Sequence, residues 1–179
     1  FEVNLYYRDI YDLLSLAVVS TYNQIEYGIY TNKDYGNVRG LELKLDYNLN
    51  DIFIQTNYTY QFTRGNADNA AQSFNRQGSS IDKVIRFIPM SWDQRHTFNV
   101  SLGYNTTKYG ITSTGYYNSG TPYTFSPQGE SNLALLNLYP NNDYKPSNYT
   151  VDLTGYINLP KIFGYQPNIN LLMRNVTDR

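Results

Sequence analysis

The residues best suited to catalysis lie in one short segment, Trp92–His96, which reads WDQRH. A histidine near an aspartate can move protons, so His96 and Asp93 are candidates for general acid–base catalysis. The chain has no cysteine that could act as a nucleophile and no G-x-S-x-G turn to present a reactive serine. We therefore expect Asp93, Arg95 and His96 to form a structural cluster that anchors a strand, and we expect no enzyme.

A second candidate is the polar segment Arg64–Asn75, in which Asp68 and Asn69 offer the oxygen ligands that calcium prefers. The segment lacks the D-x-[DN]-x-[DN]-G pattern of a calcium-binding loop, and the sequence contains no H-E-x-x-H motif. It contains no glycine-rich phosphate loop either. The expectation is an ordinary polar loop, with no metal and no cofactor.

Composition narrows the class of protein that must position these residues. The chain of 179 residues has a net charge of −1, whereas nucleic-acid-binding domains normally carry a basic surplus, so no nucleic-acid partner is expected. No run of about 18 apolar residues is present to form a membrane-spanning helix. The 20 tyrosines, with abundant Asn and Thr, favour β-strands, so the predicted fold is all-β.

Apolar and polar residues alternate along Val38–Leu49, as they do in a strand with two different faces. One face collects Leu41, Leu43, Leu45, Tyr47 and Leu49, and the other collects Glu42, Lys44, Asp46 and Asn48. Similar alternation begins near Phe1, Ile52, Thr97, Tyr109, Tyr149 and Ile169, which gives seven antiparallel strands. The apolar run Ile10–Val19 fits either a longer first strand or a short helix, and its periodicity does not decide between them.

The predicted connections alternate between short and long. Short turns are expected at Asn50-Asp51, within Asn105–Lys108 and within Pro160–Gln166. Long connections are expected at about Ser15–Asn37, at Arg64–Gln94 and at Asn118–Asn148, the last two of 31 residues each. An antiparallel meander then has all its long loops at one end. Transmembrane β-barrels show this arrangement, with short periplasmic turns and long extracellular loops, whereas compact soluble domains rarely need such loops.

Charged residues stay on the polar face of the predicted strands, which lines the lumen in a barrel. The lumen-facing candidates, which are also candidates for contact with a plug, are Glu42, Lys44, Asp46, Asp152 and Arg174. The apolar face carries no charge in mid-strand, where Arg or Lys at the bilayer midplane costs roughly 2–4 kcal/mol. On the same phase, Arg95 points to the lumen and His96 to the membrane interface.

Aromatic residues flank the aliphatic middle of the apolar face in two rows, which is typical of membrane interfaces. Tyr47, Tyr104 and Tyr109 fall near the short-turn end, and Tyr60, Phe62, Tyr117 and Tyr149 fall near the long-loop end. These rows favour lipid outside the sheet. A soluble β-sandwich that binds carbohydrate is the alternative, and it requires Leu45, Val100 and Leu153 to be sealed beneath a second sheet.

Aromatic and cationic residues of the two 31-residue connections are the candidates for ligand binding, because they suit sugars, aromatic chelates and anionic ligands. They are Arg76, Lys83, Arg86 and Trp92 on the first connection and Tyr123, Phe125, Tyr139 and Tyr144 on the second. Their alternative roles are packing of loop on loop and contact with lipopolysaccharide.

Four segments, in order along the chain, resemble segments of TonB-dependent outer-membrane receptors. They are DYGNVRGLELKLDYNL (Asp34–Leu49), PMSWDQRHTFNVSLGY (Pro89–Tyr104), YYNSGTPYTF (Tyr116–Phe125) and INLLMRNVTDR (Ile169–Arg179). The last is similar to a penultimate-strand ending N-L-F-D-R, with Val176 and Thr177 in place of Leu and Phe. Together with YQFTRGNADN (Tyr60–Asn69), the form is most similar to the large receptors of Bacteroidota-type bacteria.

The resemblance implies a 22-stranded barrel in the bacterial outer membrane, plugged by an N-terminal domain. Such receptors import bulky, scarce ligands (siderophores, cobalamin, glycans or peptides) with energy from the TonB complex. Residues 1–179 are then expected to be the C-terminal portion of the barrel, without the plug, the TonB-contacting segment or the final strand. The expected partners are outer-membrane lipid, lipopolysaccharide, the plug and TonB, with a surface lipoprotein as a further candidate. A passive channel or adhesin-like barrel is the alternative.

Overall fold

The computed structural model describes residues 1–77, 86–125 and 140–177, except for the side chains of residues 75–77. In chain order its elements are β1 (Glu2–Ser20), β2 (Glu26–Leu49), β3 (Ile52–Gly65), α1 (Ala70–Gln77), β4 (Ile88–Pro89), β5 (His96–Asn105), β6 (Tyr109–Asn118), β7 (Pro122–Tyr123), β8 (Asp143–Tyr144), β9 (Asn148–Asn158) and β10 (Asn168–Met173).

Seven strands form one antiparallel meander in the order β1-β2-β3-β5-β6-β9-β10, as the alternation of the sequence predicts. The short strand β4 pairs with the end of β3, and β7 and β8 form a separate two-stranded ribbon. Strands β1 and β10 lie at the two edges, so the sheet does not close on itself within the described residues. Strands β5, β6 and β9 have 10, 10 and 11 residues, which suits a tilted strand that crosses a bilayer.

The register separates the two faces of the sheet row by row. One row across six strands consists of Val3, Leu43, Tyr58, Phe98, Tyr117 and Tyr149. The next row along the strands consists of Asn4, Glu42, Thr59, Thr97, Asn118 and Asn148. Because neighbouring residues of a strand point to opposite faces, these rows define an apolar face and a polar face.

The apolar face has no protein cover among the described residues. Leu45 is 37% exposed, Leu102 47% and Leu171 60%, while Val100 and Leu153 are half-buried. In the described part of the chain, the buried hydrophobic residues are Ala67, Ile88 and Met90, and all three lie outside the long strands. The second sheet that a sandwich requires over Leu45, Val100 and Leu153 is not present there. Among the described residues, no helix has both the length and the apolar character needed to cross a membrane.

All three predicted short turns lie at one end of the sheet, where they join β2 to β3, β5 to β6 and β9 to β10. Asn50 adopts the left-handed conformation (φ 50°) that a tight turn requires and that Asn tolerates. In the next turn, the Thr106 hydroxyl accepts a 3.0 Å hydrogen bond from the backbone N–H of Tyr109. We call this the short-turn end and the opposite end the outer end.

The first connection at the outer end differs from the prediction of a long loop over about Ser15–Asn37. Strands β1 and β2 both continue past the rest of the sheet and turn within Thr21–Ile25, where the Thr21 N–H donates to Ile25 O at 2.9 Å. The ambiguous run Ile10–Val19 therefore prolongs the first strand. A bulge at Tyr11 and Asp12 (φ 60°) adds one residue to β1, and a second bulge at Lys33 adds one residue to β2. Each bulge interrupts the period of two in its own strand.

Candidate functional site

The buried carboxylate of Asp93 is the centre of a cluster at the outer end. Its Oδ1 accepts a 2.6 Å hydrogen bond from the backbone N–H of Thr63 at the end of β3. Its Oδ2 accepts a 2.8 Å hydrogen bond from Nε of Arg95. Nη2 of Arg95 in turn donates to the hydroxyl of Tyr144 in β8 at 2.7 Å. The cluster therefore joins β3, the start of β5 and the second long connection.

The surroundings of Arg95 keep its guanidinium charged. Burial on its own lowers the pKa of Arg95, but the hydrogen bond and the negative charge of Asp93 raise it above its ordinary value. Burial also raises the pKa of Tyr144, so its hydroxyl stays protonated at neutral pH. The guanidinium carbon lies 4.4 Å from the ring centroid of Phe62, which adds a cation–π contact.

Arg95 does not keep the strand phase on which it was predicted to point to the lumen, whereas His96 lies on the apolar face, as its phase predicts. Arg95 lies just before β5, so the alternation of the strand does not fix its side chain. The side chain is instead held by its contacts with Asp93 and Phe62. The His96 ring stacks on Tyr60 of the apolar face at 4.9 Å, and its Nδ1 is 2.8 Å from the Tyr58 hydroxyl. Asp93 and His96 thus bond to different partners and are not brought together as an acid–base pair.

Asp68 joins the two long connections. Its Oδ1 accepts a 2.6 Å hydrogen bond from the N–H of Ser91, and its Oδ2 accepts one of 2.6 Å from Nδ2 of Asn141. Asn69 is the N-cap of α1, because its Oδ1 accepts a 2.9 Å hydrogen bond from the N–H of Gln72. Both residues considered as calcium ligands therefore serve protein hydrogen bonds. Among the described residues, no group of three His, Cys, Asp or Glu side chains is placed to hold a metal.

A pocket of about 350 Å³ lies at the outer end, between the β1–β2 hairpin and the first long connection. Its apolar wall consists of Ile10, Leu13, Leu14, Val38, Ala67, Ala70, Met90 and Trp92. The register is unbroken from Ile10 back to Glu2 and from Val38 to Glu42, so Ile10 and Val38 belong to the polar, lumen-side face. A cavity of this size suits a small ligand or one group of a larger ligand.

A chain of hydrogen bonds holds one side of this pocket. Ser73 of α1 donates to Oδ1 of Asp34 in β2 at 3.1 Å. The hydroxyl oxygens of Ser15 in β1 and Ser73 are 2.8 Å apart, and Ser15 is the donor because the Ser73 hydrogen is already used. All three residues are buried. The chain fixes α1 on the hairpin, and Asp34 remains in the pocket wall.

The predicted ligand-binding residues are not gathered in one place. Trp92 is half-exposed and lines the pocket, whereas Tyr144 belongs to the Asp93 cluster. Tyr123 donates to Oδ2 of Asp143 at 3.0 Å, and that hydrogen bond raises the pKa of Tyr123. Phe125 is half-exposed, and Arg86 is exposed. Lys83, Tyr139 and the side chain of Arg76 lie outside the described residues.

Sequence reasoning missed the pocket residues Ile10, Leu13, Asp34 and Met90. The first two lie in the apolar run whose conformation was ambiguous, and the bulge changes which of them share a face. Met90 follows β4, a strand of only two residues with no periodic signal. One signal in the sequence could have identified the pocket. The run Ile10–Val19 is apolar although it lies beyond the aromatic row at the outer end.

The lumen candidates all lie on or next to the polar face. Lys44 and Asp46 form an exposed ion pair at 3.4 Å, and Glu42 lies in the polar row. Oδ1 of Asp152 accepts a 2.8 Å hydrogen bond from the N–H of Asn175, which follows β10. Arg174 is exposed just beyond the end of that strand.

The interface candidates all lie on the apolar face. Near the short turns, the rings of Tyr104 and Tyr109 are 6.0 Å apart, and Tyr47 is directly opposite Ile54. Near the outer end, Tyr60 and Phe62 pack edge to face at 4.9 Å, and Tyr117 is directly opposite Tyr149. The two rows therefore have the spacing along the strands that the sequence predicts.

Comparison with known families gives one result that covers almost the whole chain. The family described as TonB dependent receptor-like, β-barrel, matches residues 1–176. No curated protein matches the sequence. The match spans every strand of the sheet and both long connections.

Proposed function

The chain belongs to the TonB-dependent receptor β-barrel family, and on that premise we propose that it forms the wall and outer vestibule of a transporter for a bulky, scarce ligand. Members of this family are outer-membrane transport receptors. The transport proposed is TonB-dependent, and a siderophore, cobalamin, a glycan or a peptide is the ligand class. No feature of the described residues favours the alternative of a passive channel or an adhesin-like barrel.

The observation that carries the proposal is the uncovered apolar face opposite a polar face. Leu45, Leu102 and Leu171 lie on the face that carries both aromatic rows, and no described residue seals it. Glu42 and Lys44 lie on the other face. Lipid on one side and a hydrated lumen on the other satisfy both faces, because a barrel pairs its backbone groups between strands.

The outer pocket supports a role in binding the ligand. It lies on the lumen side, where a ligand that enters from outside arrives first, and Trp92 provides an aromatic surface on its wall. Asp34 and Arg64 also line it, so an apolar group next to a polar one is the chemistry it suits. Lys44, Asp46 and Glu42, further down the same face, are proposed to meet the plug.

The partners proposed for the complete receptor follow from this arrangement. The N-terminal plug fills the lumen, and a segment ahead of it contacts TonB. Residues 1–179 form the C-terminal portion of the barrel, and strands from the rest of the barrel pair with the edges β1 and β10. Lipopolysaccharide and a surface lipoprotein are proposed neighbours at the outer end, in a receptor of the Bacteroidota type.

Uptake by cells tests the proposal. The complete receptor is expressed in a strain that lacks its own copy, with and without a functional TonB. Labelled ferric siderophores, cobalamin, oligosaccharides and short peptides are then supplied at concentrations too low for passive diffusion. One class is expected to accumulate only when the receptor and TonB are both present. Accumulation that needs the receptor but not TonB would show a passive channel.

A further inference from the structure

The turn between β9 and β10 is chemically unlike the other two short turns. Those turns are polar, with Asn50 and Asp51 in one and Thr106, Thr107 and Lys108 in the other. The β9–β10 turn, residues 159–167, reads LPKIFGYQP. At its tip Phe163 is 97% exposed and Tyr165 79% exposed, with Ile162 also exposed. Three large apolar side chains thus project from the short-turn end.

The backbone presents Phe163 in a conformation that its residue type disfavours. Ile162 and Tyr165 form a bridge, with N–H···O distances of 2.8 and 3.0 Å in the two directions. The two residues between them are left-handed, Phe163 with φ 48° and Gly164 with φ 84°. Tight turns of this kind favour Asn or Gly at the first position, and a bulky residue there is rare. Folding of the turn does not explain Phe163, so its side chain has another role.

The turn directly follows the last residues of the apolar face on β9 and β10. Ile157 and Ile169, the apolar-face residues nearest the turn on β9 and β10, are directly opposite each other and both exposed. Tyr109 of the short-turn aromatic row is directly opposite Ile157 on its other side. The apolar face therefore extends through Tyr109, Ile157 and Ile169 up to the residues that begin and end the turn.

We propose that the β9–β10 turn is a lipid anchor, with Phe163 and Tyr165 inserted at the headgroup level of the inner leaflet of the outer membrane. Aromatic rings favour this level, where an apolar body meets a polar surface. Lys161, the one charged residue among residues 159–167, is exposed beside them and suits a lipid phosphate. The anchor sets the depth at which this part of the barrel sits. It does not depend on which ligand is transported.

Site-directed spin labelling of the complete receptor in phospholipid nanodiscs tests the anchor. The chain has no cysteine, so Phe163→Cys and Tyr165→Cys each give one label within it. Thr107→Cys, exposed in the β5–β6 turn, is the matched control. Labels at 163 and 165 are expected to be relaxed by oxygen and to lose relaxation by water-soluble Ni(II)EDDA. The label at 107 is expected to be relaxed by Ni(II)EDDA.

Each other pattern overturns the proposal. Strong relaxation by Ni(II)EDDA at both 163 and 165 would place the turn in the aqueous periplasm. Protection from both reagents would place it against protein. A second variant, Phe163→Asn, supplies a residue that the turn favours, so it is expected to fold. This variant should be less resistant to urea than the unchanged receptor in phospholipid vesicles but equally resistant in detergent micelles. Equal resistance of the two proteins in vesicles would contradict a contact between Phe163 and lipid.

Discussion

The ring of Phe53 lies over Gly103, the residue directly opposite it on the neighbouring strand. The same relationship joins Tyr6 to Gly40 and Tyr156 to Gly110, each pair directly opposed on the polar face. An aromatic ring that covers a glycine shields backbone that no side chain protects. It also keeps the ring close to the wall of the lumen.

Replacement of Gly103 by Ala is expected to destabilise the sheet, because the new methyl group would occupy the space of the Phe53 ring. Forced repacking of this kind costs about 1–3 kcal/mol. Gly155→Ala is the matched control, since the nearest atom to its Cβ would be a carbonyl oxygen at 3.6 Å. Urea unfolding of the complete receptor in lipid vesicles measures both. Equal stability of the two variants would show that Phe53 moves aside freely.

Substitution by arginine distinguishes the face proposed to meet lipid from the face proposed to line the lumen. Leu45→Arg is expected to lower the free energy of unfolding by roughly 2–4 kcal/mol, because it places a charge in the hydrocarbon. Gln55→Arg, on the other face and directly opposite Asp46, is expected to change it by no more than about 0.5 kcal/mol. Folding titrations into vesicles measure both. Similar losses for the two variants would contradict the assignment of the faces.

Loss of the Asp93 carboxylate is expected to loosen the outer end while the strands stay folded. Asp93→Ala leaves Arg95 without its buried partner and the N–H of Thr63 without an acceptor. Breaking a buried pair in this way costs about 3–5 kcal/mol. Limited proteolysis should then cut the long connections faster, and Asp51→Ala, at an exposed site in the β2–β3 turn, should not have this effect. Unchanged cleavage of Asp93→Ala would refute the structural role.

Truncation of Trp92 is expected to weaken ligand binding if the outer pocket receives part of the ligand. An aromatic residue at the centre of a binding site typically contributes about 2 kcal/mol or more, so Kd should rise about thirtyfold in Trp92→Ala. Phe125→Ala removes an aromatic ring that is also half-exposed but does not line the pocket. Titration of the purified receptor with the ligand identified by uptake measures both, and an equal effect would place the site elsewhere.

The hydroxyl of Tyr123 is expected to titrate above the ordinary tyrosine pKa of about 10, because its hydrogen bond to Asp143 raises the pKa. The contribution of this bond is therefore complete below that pH and is lost as pH rises through the raised pKa. The tyrosinate absorbance removed by Tyr123→Phe gives the midpoint. In an Asp143→Asn background that midpoint should fall, and no fall would show that the bond is absent.

The sheet followed from the sequence because its two faces meet different solvents, and that difference forces a strict period of two on segments such as Val38–Leu49. The short turns followed from residues such as Asn50 that accept left-handed backbone. The β1–β2 hairpin did not follow, since a bulge at Asp12 interrupts the period of two in β1.

The outer cluster was harder to predict because its contacts join residues far apart in the chain. Asp68 and Asn141 bond across 73 residues, and no local pattern records such a pair. The WDQRH segment identified Asp93 and Arg95 as important, but their partner Tyr144 was only one of several loop aromatics. Local sequence pattern determines the fold of a two-faced sheet. The structure of the outer vestibule depends instead on contacts between distant loops.

The β1–β2 hairpin stands clear of the sheet by roughly 25 Å, at about 3.3 Å for each residue of its paired upper part. Tyr22 at its tip is fully exposed. In the proposed receptor the hairpin lies outside the cell, where antibodies, bacteriophage tail fibres and host proteases can reach it. An epitope tag inserted at the tip of this hairpin would report, on living cells, whether the receptor has reached the surface.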